Sequence, residues 1–305
     1  MHEASTVPPD IAAIGIVGAG KMGAGIAQVC AAAGYQVRLQ DISDDRHEKA
    51  LSGIDGRLAR LIDKQQMTAE NRARIMAGIQ TSTAVEHLAD CDMVVEAASE
   101  SQNVKLKIFE QLCRTVRSDT ILCTNTPSIS VAMLAAHTDR PERVMGIHFM
   151  NPVPVMKLVE LIRAITTDDA TFVAARQLVE RLGKTAGLAQ DYPAFIVNRV
   201  LLPMVNEAVY ALHEGVGDVT SIDTAMKLGA NHPMGPLQLG DFIGLDTCLA
   251  IMRVLYEGTS DSTYRPCPLL VKYVEAGWLG RKTGRGFYDY RETLPVPNFH
   301  ALRPV

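Results

Sequence analysis

From Ile11 to Asp191 the chain alternates between short apolar, β-branched runs and longer stretches of helical period. The apolar runs predict strands at Ile11–Val17, Gln36–Leu39, from Ile79, from Met93, Thr120–Asn125, Val144–Phe149, Val155–Ile162 and Gly187–Gln190. The helical stretches between them fall at Ala24–Ala33, Asp44–Lys64, Met67–Ala77, Val104–Thr115, Ile129–Ala136 and Phe172–Leu182. At Asp191-Tyr192-Pro193 the pattern changes, and only helical period follows, at Phe195–His213, Thr220–Leu228, Leu237–Tyr256 and Leu269–Glu275. Strand–helix alternation predicts a parallel sheet with helices on its faces. The expected architecture is α/β, with a first domain over 11–191 and an all-helical second domain over 192–305. Pro203 is expected to kink the first helix of that second domain, and Gly215 to end it. The stretch from Gly280 to Tyr288 reads as a basic, glycine-rich turn leading into an aromatic anchor.

The first strand runs directly into Gly18-Ala-Gly20-Lys21-Met22-Gly23, and a helix of small residues follows. In that strand–turn–helix setting the glycines have distinct physical uses. Gly18 allows a tight turn, Gly20 lets backbone approach a pyrophosphate, and Gly23 lets helix and strand pack closely. The helix N-terminus then presents unpaired N–H groups to the phosphates. Asp41 ends the second strand, 18 residues beyond Gly23. A carboxylate there accepts hydrogen bonds from a ribose diol and repels a 2′-phosphate, so the first domain reads as a Rossmann-type NAD-binding domain. Arg38 and Arg46 are near enough in sequence to weaken that preference.

Two buried-looking runs, Val144–Phe149 and Val155–Ile162, flank a turn containing Asn151, Pro152 and Pro154. One carries His148, the other Glu160. A carboxylate bonded to one imidazole nitrogen fixes the tautomer and makes the other nitrogen a better proton acceptor, as a general base requires. The alternative is a satisfied core histidine beside a charge at a strand end, and these residues alone do not separate the two. Glu100, Lys105 and Asn125 stand near strand ends, where such sheets bind ligands, but each also suits a helix cap or surface charge. Pro127, in Thr126-Pro127-Ser128, is expected near the first position of the following helix. Arg57, Arg60 and Lys64 recur at three- and four-residue spacing, which makes a basic stripe for a phosphorylated substrate tail or an ordinary solvated face. Asn198, little more than a turn into its predicted helix, is either a helix–helix hydrogen-bonding group or a substrate contact.

Charge and cysteine usage narrow the classes. A net charge of -4 argues against general nucleic-acid binding. No apolar run reaches the length of a membrane span, and the first ten residues read as a loose tail without signal-peptide features. The six cysteines lack CxxC spacing and sit mostly in apolar runs. They suggest reduced core residues of a cytoplasmic protein, with no metal site.

Taken together, the glycine loop with Ala24-Gly-Ile-Ala-Gln28 behind it, the run from His148 to Glu160, Pro193-Ala-Phe-Ile-Val-Asn198-Arg, His232-Pro-Met-Gly-Pro-Leu237 and Gly284-Arg-Gly-Phe-Tyr288 resemble the L-3-hydroxyacyl-CoA dehydrogenase family, from about Ile11 to Tyr290. The likeness is greatest to its short, single-function members. It implies NAD-dependent interconversion of a 3-hydroxyacyl-CoA and the 3-ketoacyl-CoA, in a homodimer built on the helical domain. It places the catalytic His on His148, its partner on Glu160 and a substrate contact on Asn198. Cofactor contacts fall on Gly18, Gly20, Lys21, Met22, Gly23, Asp41, Glu100, Lys105, Asn125, Asn151 and Lys272, and CoA contacts near Lys64 and Arg57. One departure stands out: a serine usual in the family falls on Pro127, which has neither hydroxyl nor N–H, leaving Ser128 as the nearest substitute. A dehydrogenase of a free 3-hydroxy acid or sugar acid, or a catalytically weak NAD-binding protein, are the competing readings.

Overall fold

The computed structural model describes residues 11–292 and 294–298, so the expected N-terminal tail lies outside the described residues. The chain divides into two compact units, the first ending at Tyr192 and the second beginning at Pro193.

The first unit is built in the order β1 (Ala13–Val17), α1 (Lys21–Ala32), β2 (Gln36–Gln40), α2 (Asp44–Asp63), α3 (Ala69–Ala77), β3 (Ile79–Ser82), β4 (Met93–Glu96), α4 (Gln102–Thr115), β5 (Ile121–Thr124), α5 (Val131–Ala135), β6 (Val144–Phe149), β7 (Leu158–Arg163), α6 (Asp169–Arg181) and β8 (Thr185–Gln190). Its eight strands form one sheet in the order β3-β2-β1-β4-β5-β6-β7-β8. All neighbours are parallel except β6 and β7, which are antiparallel. Strand order reverses direction between β1 and β4, and in such sheets the crevice beyond the strand ends at that point receives the ligand.

Side-chain alternation then sorts the strands' two faces. Ile14 and Ile16 of β1, Met145, Ile147 and Phe149 of β6, and Val159 and Leu161 of β7 join one apolar core with Ile26 of α1 and Leu178 of α6. His148 and Glu160 occupy the intervening positions and therefore point to the other face. Gly146 shares that face, and a Cβ on it would stand 2.8 Å from Ile162 and 3.1 Å from Val131 of α5.

Several boundaries of this unit differ from expectation, with α1, α6 and β8 beginning earlier, at Lys21, Asp169 and Thr185, and two others show their cause. The strand predicted from Val155 begins at Leu158. The Val155 and Met156 amides both donate to the Pro152 carbonyl, which holds them in the proline turn and out of the ladder. The helix predicted from Ile129, with Pro127 at its start, begins at Val131 behind the N-cap Ser130. Thr126 Oγ1 accepts from the Ser128 and Ile129 amides, so a local side-chain turn displaces the first helical turn. Asp191 caps α5 from 60 residues away, its carboxylate accepting from the Val131 and Ala132 amides and the Ser130 hydroxyl.

The second unit comprises α7 (Val197–His213), α8 (Val219–Gly229), α9 (Pro236–Ile243), α10 (Leu245–Thr259) and α11 (Pro268–Glu275). Its core gathers Leu202, Val209, Leu237, Leu249, Met252, Leu270 and Phe287. Pro203 sits inside α7, whose helical run is unbroken. The single helix expected over Leu237–Tyr256 is two helices, because Gly244 adopts φ +105° and turns the chain between them. Helix α7 starts later than expected, since Ala194 and Phe195 both have positive φ. Asn198 consequently lies in its first turn. The tail carries a small antiparallel ribbon, β9 (Tyr288–Asp289) with β10 (Val296–Pro297), which helical period alone did not predict. Phe287 anchors it against Tyr273, with ring centroids 4.9 Å apart. All six cysteines are free thiols, and five are buried.

Candidate active site

The glycine turn closes as its spacing requires. Gly18 takes φ +103°, and a Cβ there would approach the Ala97 carbonyl to 2.7 Å. A Cβ on Gly23 would stand 1.8 Å from the Gly18 carbonyl, so the first turn of α1 packs on the loop only because that residue is glycine. A Cβ on Gly20 would meet no atom at all, because Gly20 faces an open cleft of about 640 Å³. The cleft is lined by Gly18, Gly20, Lys21 and Met22 of the loop, by Asp41, Ile42 and Arg46 after β2, and by Ala97 to Ser99 after β4. Val85, Val104 and Ile108 give it an apolar wall. A glycine loop, a helix N-terminus, an acid at the end of β2 and an apolar wall suit the pyrophosphate, ribose and adenine of a dinucleotide. Asp41 is buried, and its Oδ2 accepts from the Ala19 amide at 2.7 Å. The two arginines near it part ways: Arg38 donates to the His87 carbonyl at 2.9 Å, whereas Arg46 lines the cleft.

Farther along the same edge of the sheet, His148 and Glu160 meet. In the β6–β7 ladder they are directly opposed, and Gly146 is opposed to Ile162. Opposed residues of an antiparallel pair share a face, so the register alone brings the two side chains together; a one-residue slip would send Glu160 to the opposite side. His148 Nδ1 and Glu160 Oε2 lie 2.7 Å apart, and both residues are buried. Donation from Nδ1–H to the carboxylate makes Nε2 the lone-pair nitrogen of the neutral ring.

Between these two places runs a polar network that the sequence showed only in part. Glu96, at the end of β4, is fully buried. Its carboxylate accepts from Lys105 Nζ at 2.9 and 2.8 Å, from the Ala98 amide at 2.8 Å and from the Thr124 hydroxyl at 2.8 Å. Lys105, expected to touch the cofactor, is itself buried and does not line the cleft; beyond Glu96 its ammonium faces Glu100 at 3.4 Å. Glu100 in turn accepts from the Thr126 hydroxyl and, at 3.0 Å, from the Ser128 hydroxyl. The hydroxyl nearest to Pro127 is thus donated to Glu100. Asn125 is buried, and its Oδ1 accepts from the Phe149 amide at 2.9 Å, which pins the end of β5 to β6 beside His148.

The remaining expected residues fall as follows. Asn151 is exposed in the turn after β6. Arg57 is turned inward, its Nε donating to Gln28 of α1 at 2.7 Å, and burial together with Arg60's charge lowers its pKa. Arg57 is therefore a packing group of the α1–α2 contact, while Lys64 stays exposed at the end of α2. In the second unit, Asn198 is half-buried and Lys272 pairs with Glu275 at 2.8 Å on an exposed face of α11. Among the described residues no cluster of three or more His, Cys, Asp or Glu could hold a metal ion, and no helix is long and apolar enough to cross a membrane. Sequence reasoning missed Glu96 and Thr124. The available signal was a carboxylate at the end of an otherwise apolar strand with a lysine in the next helix.

Comparison with known proteins covers both units. The family model "3-hydroxyacyl-CoA dehydrogenase, NAD binding domain" matches residues 13–192, and that of the family's C-terminal domain matches 195–290. A 3-hydroxybutyryl-CoA dehydrogenase of Bradyrhizobium diazoefficiens is 60% identical over 284 residues, 93% of this chain and 97% of that protein. A 3-hydroxyadipyl-CoA dehydrogenase of Escherichia coli is 40% identical over 92% of this chain and 60% of its own length. The crystal structure of (S)-3-hydroxybutyryl-CoA dehydrogenase from Ralstonia eutropha superposes with a TM-score of 0.91 at 48% identity, covering 93% of this chain and 100% of that one.

Proposed function

The chain belongs to the 3-hydroxyacyl-CoA dehydrogenase family and is an NAD-dependent 3-hydroxyacyl-CoA dehydrogenase, and on that premise we propose that His148 is its general base, oriented by Glu160. The observation that carries the assignment is the buried 2.7 Å contact between Nδ1 and Oε2. Bound NAD+ supplies the hydride acceptor for C3 of the substrate. His148 Nε2 takes the proton of the 3-hydroxyl as the hydride departs, and Glu160 steadies the imidazolium that results. A base so positioned contributes ~10²–10⁴-fold. In the reverse direction the same nitrogen returns the proton to the 3-keto oxygen. Asn198 is assigned to the substrate's reacting end by family resemblance, and Lys64, an exposed cation just after α2, to the CoA phosphates.

Short acyl chains come first among substrates, since relatives named for 3-hydroxybutyryl-CoA match over nearly the full chain. The 3-hydroxyadipyl-CoA relative keeps longer, ω-carboxylated chains in the test. A homodimer through the second unit is supported by the exposed apolar side chains Val200, Val216, Leu228 and Phe242. The test is a panel of 3-ketoacyl-CoAs of rising length, each with NADH, beside the matching free 3-keto acids. The four-carbon thioester is expected to exceed its free acid in kcat/KM by at least ~10²-fold, because CoA binding energy is used at the reacting centre. Equal rates for thioester and free acid would transfer the assignment to a free hydroxy-acid dehydrogenase.

A further inference from the structure

Behind the turn that joins β6 to β7 lies a second cavity, of about 440 Å³, bounded by the end of α1, the turn itself and the link from α6 to β8. It shares no lining residue with the cleft at the glycine loop. Its walls carry three cations, Lys157, Arg181 and Lys184, and no acid. Glu180, the acid beside Arg181 in sequence, is taken by Arg176 at 3.0 Å. Val29, Pro154 and Met156 give the cavity an apolar side.

Each cation is held from behind and keeps donors for the cavity. Lys184 Nζ donates to the Val153 and Met156 carbonyls, both at 2.7 Å, and so clamps the turn between the strands of His148 and Glu160. An ammonium has three N–H groups, and the third finds no acceptor among the described residues. Burial lowers the pKa of Lys184, so its charged form gains from an anion placed beside it. The Arg181 guanidinium lies over the Tyr35 ring, 4.9 Å from its centroid, which orients the fork without using its N–H groups. Lys157 is exposed, and the Thr185 amide, donating to its carbonyl at 2.8 Å, fixes the backbone from which its side chain starts. Three like charges around one concave space repel one another until a counter-charge enters.

We infer that this cavity is a second anion site, apart from the cofactor cleft, that takes a phosphorylated small molecule carrying two or more negative charges. The Arg181 fork matches a pair of phosphate oxygens, and the two ammonium groups add point charges beside it. The volume lies in the range of small-molecule sites and has room for a pyrophosphate with a ring laid on the apolar side. Because Lys184 is both a wall of the cavity and the clamp on the turn, an occupant bears directly on the hairpin that carries His148 and Glu160.

The test is calorimetric titration of the whole protein with inorganic pyrophosphate at low salt, with NADH and CoA both saturating so that the sites proposed for cofactor and substrate are already filled. Binding with a Kd of ~1 mM or tighter is expected. Arg181→Gln and Lys157→Gln should each weaken it by at least ~10-fold, since each removes a charge-assisted bond, and the double variant should abolish it. Uridine diphosphate, whose base occurs in neither NADH nor CoA, should bind at least as tightly as pyrophosphate. NADH affinity, read by fluorescence, should stay unchanged in every variant. No binding to the wild type at ~10 mM pyrophosphate, or binding undiminished in the double variant, overturns the inference while the cofactor reading stands. Pyrophosphate binding that appears only when CoA is left out also overturns it, because the cavity then belongs to the substrate's own site. The Lys157 side chain is exposed and makes no hydrogen bond among the described residues, so its variant folds even if loss of the Arg181–Tyr35 stacking disturbs the other.

Discussion

Glu160→Gln tests the proposed base at its least conspicuous point. The substitution is nearly isosteric and keeps a hydrogen-bonding oxygen within reach of His148 Nδ1, but it removes the negative charge. The charge matters when the ring gains a proton from the alcohol. With the heavy atoms 2.7 Å apart, the charge centres of imidazolium and carboxylate are ~4 Å apart, which at an effective dielectric of ~20 corresponds to ~4 kcal/mol of attraction. A charge-assisted hydrogen bond is worth ~1.5–3 kcal/mol net, and a neutral one about half that. The loss felt in the transition state lies between that hydrogen-bond difference, ~1 kcal/mol, and the full attraction, ~4 kcal/mol; taken as ~3 kcal/mol it is ~10²-fold in kcat. The carboxamide can also present its NH₂ group and favour the wrong tautomer, which adds to the loss. The assay is NADH oxidation with saturating 3-ketobutyryl-CoA, with NADH affinity read separately by fluorescence and folding by thermal melting. The expected pattern is a fall in kcat of ~10² or more with NADH affinity unchanged, and His148→Gln should match or exceed it. Turnover within about threefold of wild type in both variants would refute the assignment.

Two further expectations follow from buried charges. Glu96→Gln leaves the buried Lys105 ammonium with Glu100, 3.4 Å away, as its remaining carboxylate and is expected to cost ~3 kcal/mol in chemical denaturation, the low end for a broken buried pair; replacing both by apolar residues, Glu96→Leu with Lys105→Met, should recover most of it. A cost below ~1 kcal/mol for the single variant would show that the pair does not hold the network together. In the second unit, burial pushes Asp241 from the ordinary aspartate value of 3.8 up to about 6, against the pull of the Phe287 and Tyr288 amides and the Tyr290 hydroxyl. Its folded form holds a proton that the unfolded chain releases between those values. Its contribution to stability therefore rises as pH falls from 7 through 6 towards 4, by up to ~3 kcal/mol. Urea unfolding at several pH values should show this slope in the wild type and its loss in Asp241→Asn; parallel profiles would refute the linkage.

The sequence by itself determined the elements whose cause is local. The alternation of β-branched runs and helical period marked the strands and helices of the first unit, and the glycine loop was legible because strand, turn and helix are adjacent in the chain. Element ends were less so. Thr126 turns the backbone before α5 can start, and Gly244 breaks what period alone reads as one helix, because a single hydrogen bond or a single positive φ outweighs the weak helical preference of its neighbours. Tertiary structure decided which side chains meet. The β6–β7 register sets His148 opposite Glu160, and only packing reveals that Lys105 belongs to buried Glu96 and that Asp191 caps a helix 60 residues earlier. It also separated Arg38 from Arg46, which sequence proximity treated alike. The physical reason is common to all of these. Periodicity states which face of its own element a residue occupies, whereas a polar partner is fixed by register and by the exclusion of water from a packed interior, both properties of elements brought together from distant parts of the chain.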